Sequence, residues 1–484
     1  MKKDLRIIEH PMLTFNRRKR IRFTFNGREI VGFEGETIAG SLYAAGVRIF
    51  SRSFKYHRPR GLFCLSGHCD HCLMRVDGVP NVRTCSTPLR EGMKVESQNA
   101  WPSLKFDITE VANYFDFLVR PGFQYRRFKR HRRIYHIWER FLRKMAGIGN
   151  IGEKHPNKPV QRIEAFPEIL IVGGGIAGMS AFIHAAEAGA KVWLMEKDYA
   201  LGGSLRYETA EIQLPNIKNK RGFEIVAEMS KNIQNITNCK IVLNATVFGA
   251  YEDNVLAAVS PEKFFVLQPK KIIISTGSYE NPLVFENNDL PGIFLSSGIV
   301  RLMHRDGVKP GNHAVVYTRD TKGYNVALQL LEAGVEVKAI VDSRAKEKTQ
   351  NDQVVNKLED YGIPIYFGYN IKAAVGHRHV KKVIFKPCAS SGISEKEIPC
   401  DTLCISGSLY PANDLVFQLT CQGENMLQSK YDYLHQPKIS SPIHIEEGLY
   451  SAGGINGAER PSDAFIEGKR VGLAAAMDLG YRKE

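Results

Sequence analysis

The sequence predicts an α/β chain that opens with a smaller α+β domain. Three observations carry this. Three cysteines crowd into "FCLSGHCDHC" (63–72), and a fourth, Cys85, follows in "NVRTC". An apolar run enters a glycine turn and then a helical pattern at "EILIVGGGIAGMSAFIHAAEAGAKVWLMEK" (168–197). A second strand–helix–strand pattern occupies 313–344. The chain has 484 residues, 43% hydrophobic and 24% charged, which is ordinary for a globular protein of two or three domains.

Five elements flank the cysteines. "RIRFTFNGREIVGFEG" alternates like two strands joined at Asn26-Gly27, a hairpin turn. "ETIAGSLYAAGV" reads as a short helix with Thr37 at its start and Gly46 at its end. "LMRVDG" and "MKVESQNA" read as the remaining strands. The spacing Cys64-x4-Cys69-x2-Cys72-x12-Cys85 is that of plant-type 2Fe–2S ferredoxins, whose loop turns backbone N–H groups towards sulfur. Zinc usually takes two separated C-x2-C knuckles, and here only Cys69 and Cys72 form one. The expected metal ligands are therefore Cys64, Cys69, Cys72 and Cys85, in a β-grasp ferredoxin-like domain over 18–100, with structural zinc as the alternative. The other cysteines are scattered and read as packed thiols. Nine cysteines is an odd count, and no apolar h-region follows the basic N-terminal stretch. Reduced thiols or metal ligands, and a cytoplasmic location with peripheral attachment at the inner face of the membrane as a variant, are the expectation.

In the second motif a strand precedes Gly173-x-Gly175-x-x-Gly178, and a further strand ends in Glu196. Gly173 permits the turn, Gly175 lets a pyrophosphate approach, and Gly178 lets the helix pack on the sheet. The helix N-terminus, with Ile176 and Ala177, faces the phosphates. Glu196 and Lys197 lie at the adenosine ribose. This reading also removes the apolar run as a membrane span. Gly202, Gly203 and Ser204 supply a second glycine turn, Val247 a strand beside the adenine, and Thr276-Gly277 the return to the cofactor. Gly453 and Gly454 form a late turn. The predicted split Rossmann domain covers 166–303 and 409–484. The inserted Rossmann-like unit (304–408) has only Gly323 in its turn, and is read as scaffold. Residues 101–165 form a basic helical connector. Within it, 125–144 holds nine Lys/Arg against Glu139, supplying +8 of the net charge of +15. No nucleic-acid module surrounds it, so packing on a neighbouring domain or subunit is expected.

Motifs along 18–484 then resemble one family in order: "SRSFKYHRPRGLF", "GFQYRRF", "GGGIAGMSAFIHAAEAGAKVWLMEK", "GGSL", "STGSYENPLVFENNDLPGIF" and "AGGINGAERPSDAFIEG". The chain resembles the alpha subunits of heteromeric sarcosine oxidase, dye-linked proline and hydroxyproline dehydrogenases, opine oxidases and hydrogen cyanide synthase. The resemblance implies a glutathione-reductase-like fold with two dinucleotide-binding domains. It also implies a partner FAD-containing beta subunit of the amino-acid-oxidase type that oxidises the substrate, a small additional subunit in some members, and FMN at the subunit interface in several. The alpha site holds FAD, NAD or ATP depending on the member. FAD stands first here. Yet Ala452-Gly453-Gly454 replaces the "AGD" turn whose Asp binds the flavin ribityl chain, leaving the flavin end open to question.

Two departures shape the expected function. Sarcosine oxidase alpha subunits continue into a folate-binding region; the chain ends at Glu484, so transfer to tetrahydrofolate from this subunit is not expected. They also lack the four cysteines. The expectation is an electron-transferring subunit of a flavin-dependent amine or imino-acid dehydrogenase (proline, hydroxyproline, sarcosine, glycine or opine class). Electrons would leave through 2Fe–2S to a quinone, dye or electron carrier. Lys55, His57, Arg58 and Arg60 are candidates for the cluster rim or an interface FMN phosphate, beside the alternative of a packing loop. No catalytic residue emerges within the chain. The rivals are a self-contained NAD(P)H:acceptor reductase and a non-catalytic nucleotide-binding scaffold holding zinc.

Overall fold

The computed structural model describes residues 4–111 apart from 12, 14 and 16, then 131–146, 160–346 apart from 216, 353–388, 394–420 and 448–481. The chain forms two compact units, Met1–His155 with Pro282–Ser408, and Pro156–Asn281 with Leu409–Glu484.

In the first unit the alternating segments form a five-stranded sheet in the spatial order Arg28–Phe33, Arg20–Phe25, Lys94–Glu96, Leu73–Val76, Val79–Arg83. The hairpin turns at Asn26 and Gly27, both at positive φ, as a two-residue loop of this kind requires. Arg20–Phe25 pairs in parallel with Lys94–Glu96, the crossing that defines a β-grasp. The Ile38–Ala44 helix packs wholly buried on this sheet, and the Thr37 side chain caps it by accepting from Gly40 N. One strand of this sheet went unpredicted. Val79–Arg83 contains Pro80, which argues against a strand but is tolerated at a sheet edge, where it lies.

The same unit holds a parallel five-stranded sheet in the order Ile293–Leu295, Thr402–Ser406, His313–Thr318, Glu336–Asp342, Ile365–Phe367. Ile293–Leu295 is its edge strand, pairing with Thr402–Ser406. Residues 282–303, grouped by sequence with the split domain, therefore fold with the insertion. The β-grasp and the insertion share one hydrophobic core, in which Phe23, Leu42 and Tyr43 join Phe294, Leu302 and Tyr324. The Tyr43 and Phe294 rings meet edge to face with centroids 5.9 Å apart. Of the predicted connector, 101–111, 131–146 with the Arg132–Ala146 helix, and 160–165 are described, while 112–130 and 147–159 lie outside the described residues. The last described piece forms the Gln161–Ala165 strand, which pairs with Lys263–Leu267 in the second unit and so is not connector.

The second unit repeats the parallel-sheet plan. Its order is Lys240–Val242, Val192–Met195, Ile169–Val172, Lys271–Ile274, Leu449–Ser451. The central strands are apolar and buried because three helices cover one face and a four-stranded sheet, with the Asp414–Thr420 helix, covers the other. The Ile176–Glu187 and Pro461–Met477 helices pack at backbone distance. A Cβ on Gly468 would stand 2.1 Å from Ala177 O, and one on Gly472 2.4 Å from Ala181 O. Among the described residues no helix is long and apolar enough to cross a membrane.

Candidate functional site

The four predicted cysteines come together. Cys64, Cys72 and Cys85 are buried and Cys69 is half-buried; all are free thiols. Cys64 Sγ and Cys69 Sγ are 3.2 Å apart, and the Cys85 thiol lies beside those of Cys64 and Cys72. Among the described residues no three His, Cys, Asp or Glu side chains close on a single-ion position. The four thiols adjoin in one run instead, Cys69 beside Cys64, Cys64 beside Cys85 and Cys85 beside Cys72.

The local fold explains the convergence. Leu65 (φ +48°) and Gly67 (φ +78°) wind the loop back, and Cys69 N donates to Cys64 Sγ at 3.4 Å. The Cys72 carbonyl accepts from Thr84 Oγ1 at 2.7 Å, tying the loop to the hairpin that carries Cys85. Hydrogen bonds from the Cys69 and Cys85 thiols hold the Cys64 thiol well below its ordinary value, against burial and with help from the Ser66 and Cys69 N–H groups. That favours the thiolate at Cys64, while the same thiol–thiol bonds and burial push the Cys69 and Cys85 thiols up. A four-sulfur nest fed by backbone N–H donors fits a 2Fe–2S cluster.

The basic stretch before the nest is largely spoken for. His57 is buried against Asp107 (Nδ1 to Oδ2, 2.8 Å). Arg58 reaches Asn287 and Asp289. Arg60 forks onto Asp70, between Cys69 and His71, at 2.9 and 3.0 Å. Lys55 lies over the Tyr56 ring with its Nζ 4.2 Å from the centroid.

In the second unit the predicted glycines differ in what surrounds them. A Cβ on Gly178 would stand 1.9 Å from Gly173 O and 2.7 Å from Ser275 Oγ, so this glycine serves helix–strand packing. A Cβ on Gly175 or Gly277 would meet nothing within 4 Å, which leaves space for a ligand to approach the backbone. Gly175 starts the Ile176–Glu187 helix with no side-chain cap and no acid in its first turn, so the amides of Ile176 and Ala177 meet no capping carboxylate. Gly202 N donates to Gly174 O at 2.7 Å, laying the Gly202-Gly203-Ser204 turn beside the first. Glu196, buried, accepts from Gly174 N at 2.6 Å and Asp198 N at 2.7 Å, with Lys197 exposed beside it. Val247 lies on the Thr246–Ala250 strand, packed on the apolar core below the sheet. Thr276 Oγ1 donates to Ala412 O at 2.7 Å. These residues fit an adenine dinucleotide. Glu196→Ala is expected to weaken its retention by roughly 10- to 150-fold, the range of a lost hydrogen bond to a charged group. Cofactor content after gel filtration reads this.

At the late turn, Gly453 (φ +86°) would carry a Cβ 2.8 Å from Ala177 Cβ, and Gly454 one 3.2 Å from Ser278 Oγ. A carboxylate does reach this turn. Glu467 Oε2, from the Pro461–Met477 helix, accepts from Gly453 N at 2.8 Å and Asn456 Nδ2 at 3.2 Å. No local motif signals it, because only helix packing brings residue 467 back to 453.

The insertion is arranged differently. Asp320 Oδ1 accepts from Lys322 N (3.1 Å), Gly323 N (3.3 Å) and Ser406 Oγ (2.9 Å), so a carboxylate sits where its Lys322–Glu332 helix would meet a phosphate. Asp342, at the end of the second strand, is fully buried and bound by Tyr324 Oη at 2.7 Å and by the Arg344 fork. Both dinucleotide positions are filled by the chain itself.

The fold, the cysteine nest and the dinucleotide turn define an oxidoreductase chain with a fused ferredoxin-like domain. The 2Fe-2S iron-sulfur cluster binding domain matches residues 18–100, and the pyridine nucleotide-disulphide oxidoreductase domain matches 167–426. Sarcosine oxidase subunit alpha of Rhizobium meliloti is 33% identical over 343 residues, 67% of this chain and 34% of that protein. Hydrogen cyanide synthase subunit HcnA of Pseudomonas aeruginosa is 38% identical over 74 residues, 15% of this chain and 70% of that one. The structure of L-proline dehydrogenase from P. horikoshii has the same fold, with a TM-score of 0.66 at 21% identity over 97% of this chain and 76% of that chain. The chain belongs to the pyridine nucleotide-disulphide oxidoreductase family, beside the sarcosine oxidase alpha subunits its motifs resemble. It spans 34% of the length of the Rhizobium meliloti subunit.

Proposed function

We propose that the chain is the electron-transferring alpha subunit of a flavin-dependent amine or imino-acid dehydrogenase. The observation that carries this is a four-thiol nest in the same chain as an uncapped dinucleotide site. A beta subunit of the amino-acid-oxidase type would take hydride from the substrate carbon–nitrogen bond. Cys64, Cys69, Cys72 and Cys85 would hold 2Fe–2S, which supplies one-electron transfer. Gly173, Gly175, Gly178, Glu196, Gly202 and Gly203 would hold FAD by its adenosine and pyrophosphate. The names of the relatives, sarcosine oxidase and hydrogen cyanide synthase subunits, support an amine or amino-acid donor and a multi-subunit assembly.

Purification with the partner subunit tests this. Iron, but no zinc, should accompany the chain, and the dithionite-reduced protein should show a 2Fe–2S EPR signal. Turnover with proline, hydroxyproline, sarcosine, glycine and opines then sets the substrate. Zinc without iron would leave the scaffold reading standing. The NAD(P)H reductase rival is disfavoured by Asp320 and Asp342, which occupy the helix start and ribose position of the insertion. Stopped-flow mixing of the isolated chain with NADH or NADPH is expected to leave its flavin oxidised; rapid bleaching would reverse this assignment.

A further inference from the structure

The insertion keeps a nucleotide-binding fold but seals its own nucleotide positions, which raises the question of what it does. Its contacts answer at the cysteine nest. The two carbonyls flanking Cys64 are both tied to the insertion. Leu295 N donates to Phe63 O at 3.1 Å, and Arg305 Nη1 donates to Leu65 O at 3.4 Å. Between these two anchors lies Gly298, where a Cβ would stand 2.4 Å from Phe63 O and 3.2 Å from the Cys64 carbonyl carbon. Upstream, a Cβ on Gly61 would stand 2.8 Å from Pro291 Cα. The loop therefore lies directly on the backbone of the Ser296–His304 helix and the strand before it.

Leu65 is the reason this support matters. It is a buried, bulky residue in the left-handed region, where a side chain is disfavoured unless its surroundings hold it. Its twist helps bring the Cys69 N–H onto Cys64 Sγ. Arg305 holds the carbonyl of this residue and is itself fixed. Its side chain is 6% exposed and forks onto Asp306 at 2.9 and 3.3 Å. Asp306 Oδ1 in turn accepts from Thr37 N (2.8 Å) and Thr37 Oγ1 (2.9 Å), at the cap of the β-grasp helix. One chain of bonds thus runs from the β-grasp helix through the insertion to the residue after the first ligand.

We propose that the inserted nucleotide-fold unit is the seat of the iron–sulfur loop, with Arg305 as a positioning residue that holds Leu65 and tunes the cluster. This rests on the reading that the four cysteines hold 2Fe–2S. Removing the Arg305 charge takes a cation from beside the first ligand's loop and leaves Asp306 without its ion-pair partner, and a loss of positive charge disfavours the more negative, reduced cluster. The purified full chain, with its partner subunit, is compared with Arg305→Leu, Arg305→Lys and Leu358→Ala. Leu358 is a fully buried residue of the same unit, remote in sequence from the nest. Redox titration followed by EPR is the readout, with iron content and melting temperature measured alongside.

Arg305→Leu is expected to lower the midpoint potential and alter the EPR g values while iron is still bound. Arg305→Lys, which keeps the charge but not the fork, should return part of the shift. Leu358→Ala should lower the melting temperature and move neither readout. Should Arg305→Leu fail to fold, Arg305→Lys carries the same test through its g values. Wild-type potential and g values in the Arg305 variants, or an equal shift in Leu358→Ala, overturn the proposal. A wild-type chain without a 2Fe–2S signal overturns the cluster reading itself, and this proposal with it.

Discussion

Cys72→Ser is expected to empty the cysteine nest. Cys72 is 2% exposed, its thiol lies beside that of Cys85, and its carbonyl is held by Thr84. A serine there keeps the backbone but replaces a soft thiolate with a weak, protonated oxygen ligand. The loss should exceed the roughly 10- to 100-fold in metal affinity that outer-shell partners alone carry. Iron per chain, visible absorbance and the EPR signal of the reduced protein should all fall together. Flavin content should stay, because no glycine of the dinucleotide site is altered. Full iron retention in the variant would remove Cys72 from the ligand set.

Gly178→Ala is expected to have the largest effect in the second unit. The added Cβ would stand 1.9 Å from a backbone oxygen, Gly173 O, which belongs to the glycine loop and cannot rotate aside as a flexible side chain would. The helix must back away from the sheet. Overpacking of this kind costs about 1–3 kcal/mol, hence a fall in melting temperature of roughly 2–12 °C for a domain of this size. Cofactor should be lost as well, since the same loop receives the phosphates. Gly175→Ala provides the contrast. Its Cβ would meet no protein atom within 4 Å, so stability should hold while cofactor binding weakens. Thermal melts with and without added FAD separate the two. Equal destabilisation by both variants would contradict the different roles assigned to these glycines.

Much of the architecture was legible from short stretches. Asn26-Gly27 announces a hairpin because both positions need positive φ, and the structure places them there. Thr37 announces a helix start because its hydroxyl can accept a backbone N–H three residues on. Gly173, Gly175 and Gly178 declare a dinucleotide turn because each removes a Cβ at a set point of a strand–helix junction. In each case the physical cause lies within a few residues, so spacing alone conveys it.

Other features depend on residues far apart in the chain. Pro80 hid an edge strand, because being an edge is a property of the sheet and not of the segment. The boundary at 281/282 was hidden because Ile293–Leu295 commits to its domain only by pairing with Thr402–Ser406. The carboxylate at the Gly453 turn comes from Glu467, delivered by a helix that packs back on the Ile176–Glu187 helix.

The sequence by itself determined the ligand types and the local turns: four cysteines at ferredoxin spacing, three glycines at dinucleotide spacing, and an acid after the second strand. The lone Gly323 already set the insertion apart from the three-glycine turn; only the tertiary structure decided what fills its helix start. There Asp320 folds back onto the N–H groups of Lys322 and Gly323, and such a bond leaves no periodic trace in a sequence. It likewise decided that Arg305 meets Leu65 across 240 residues, because burial in a shared core, not spacing along the chain, brings them together.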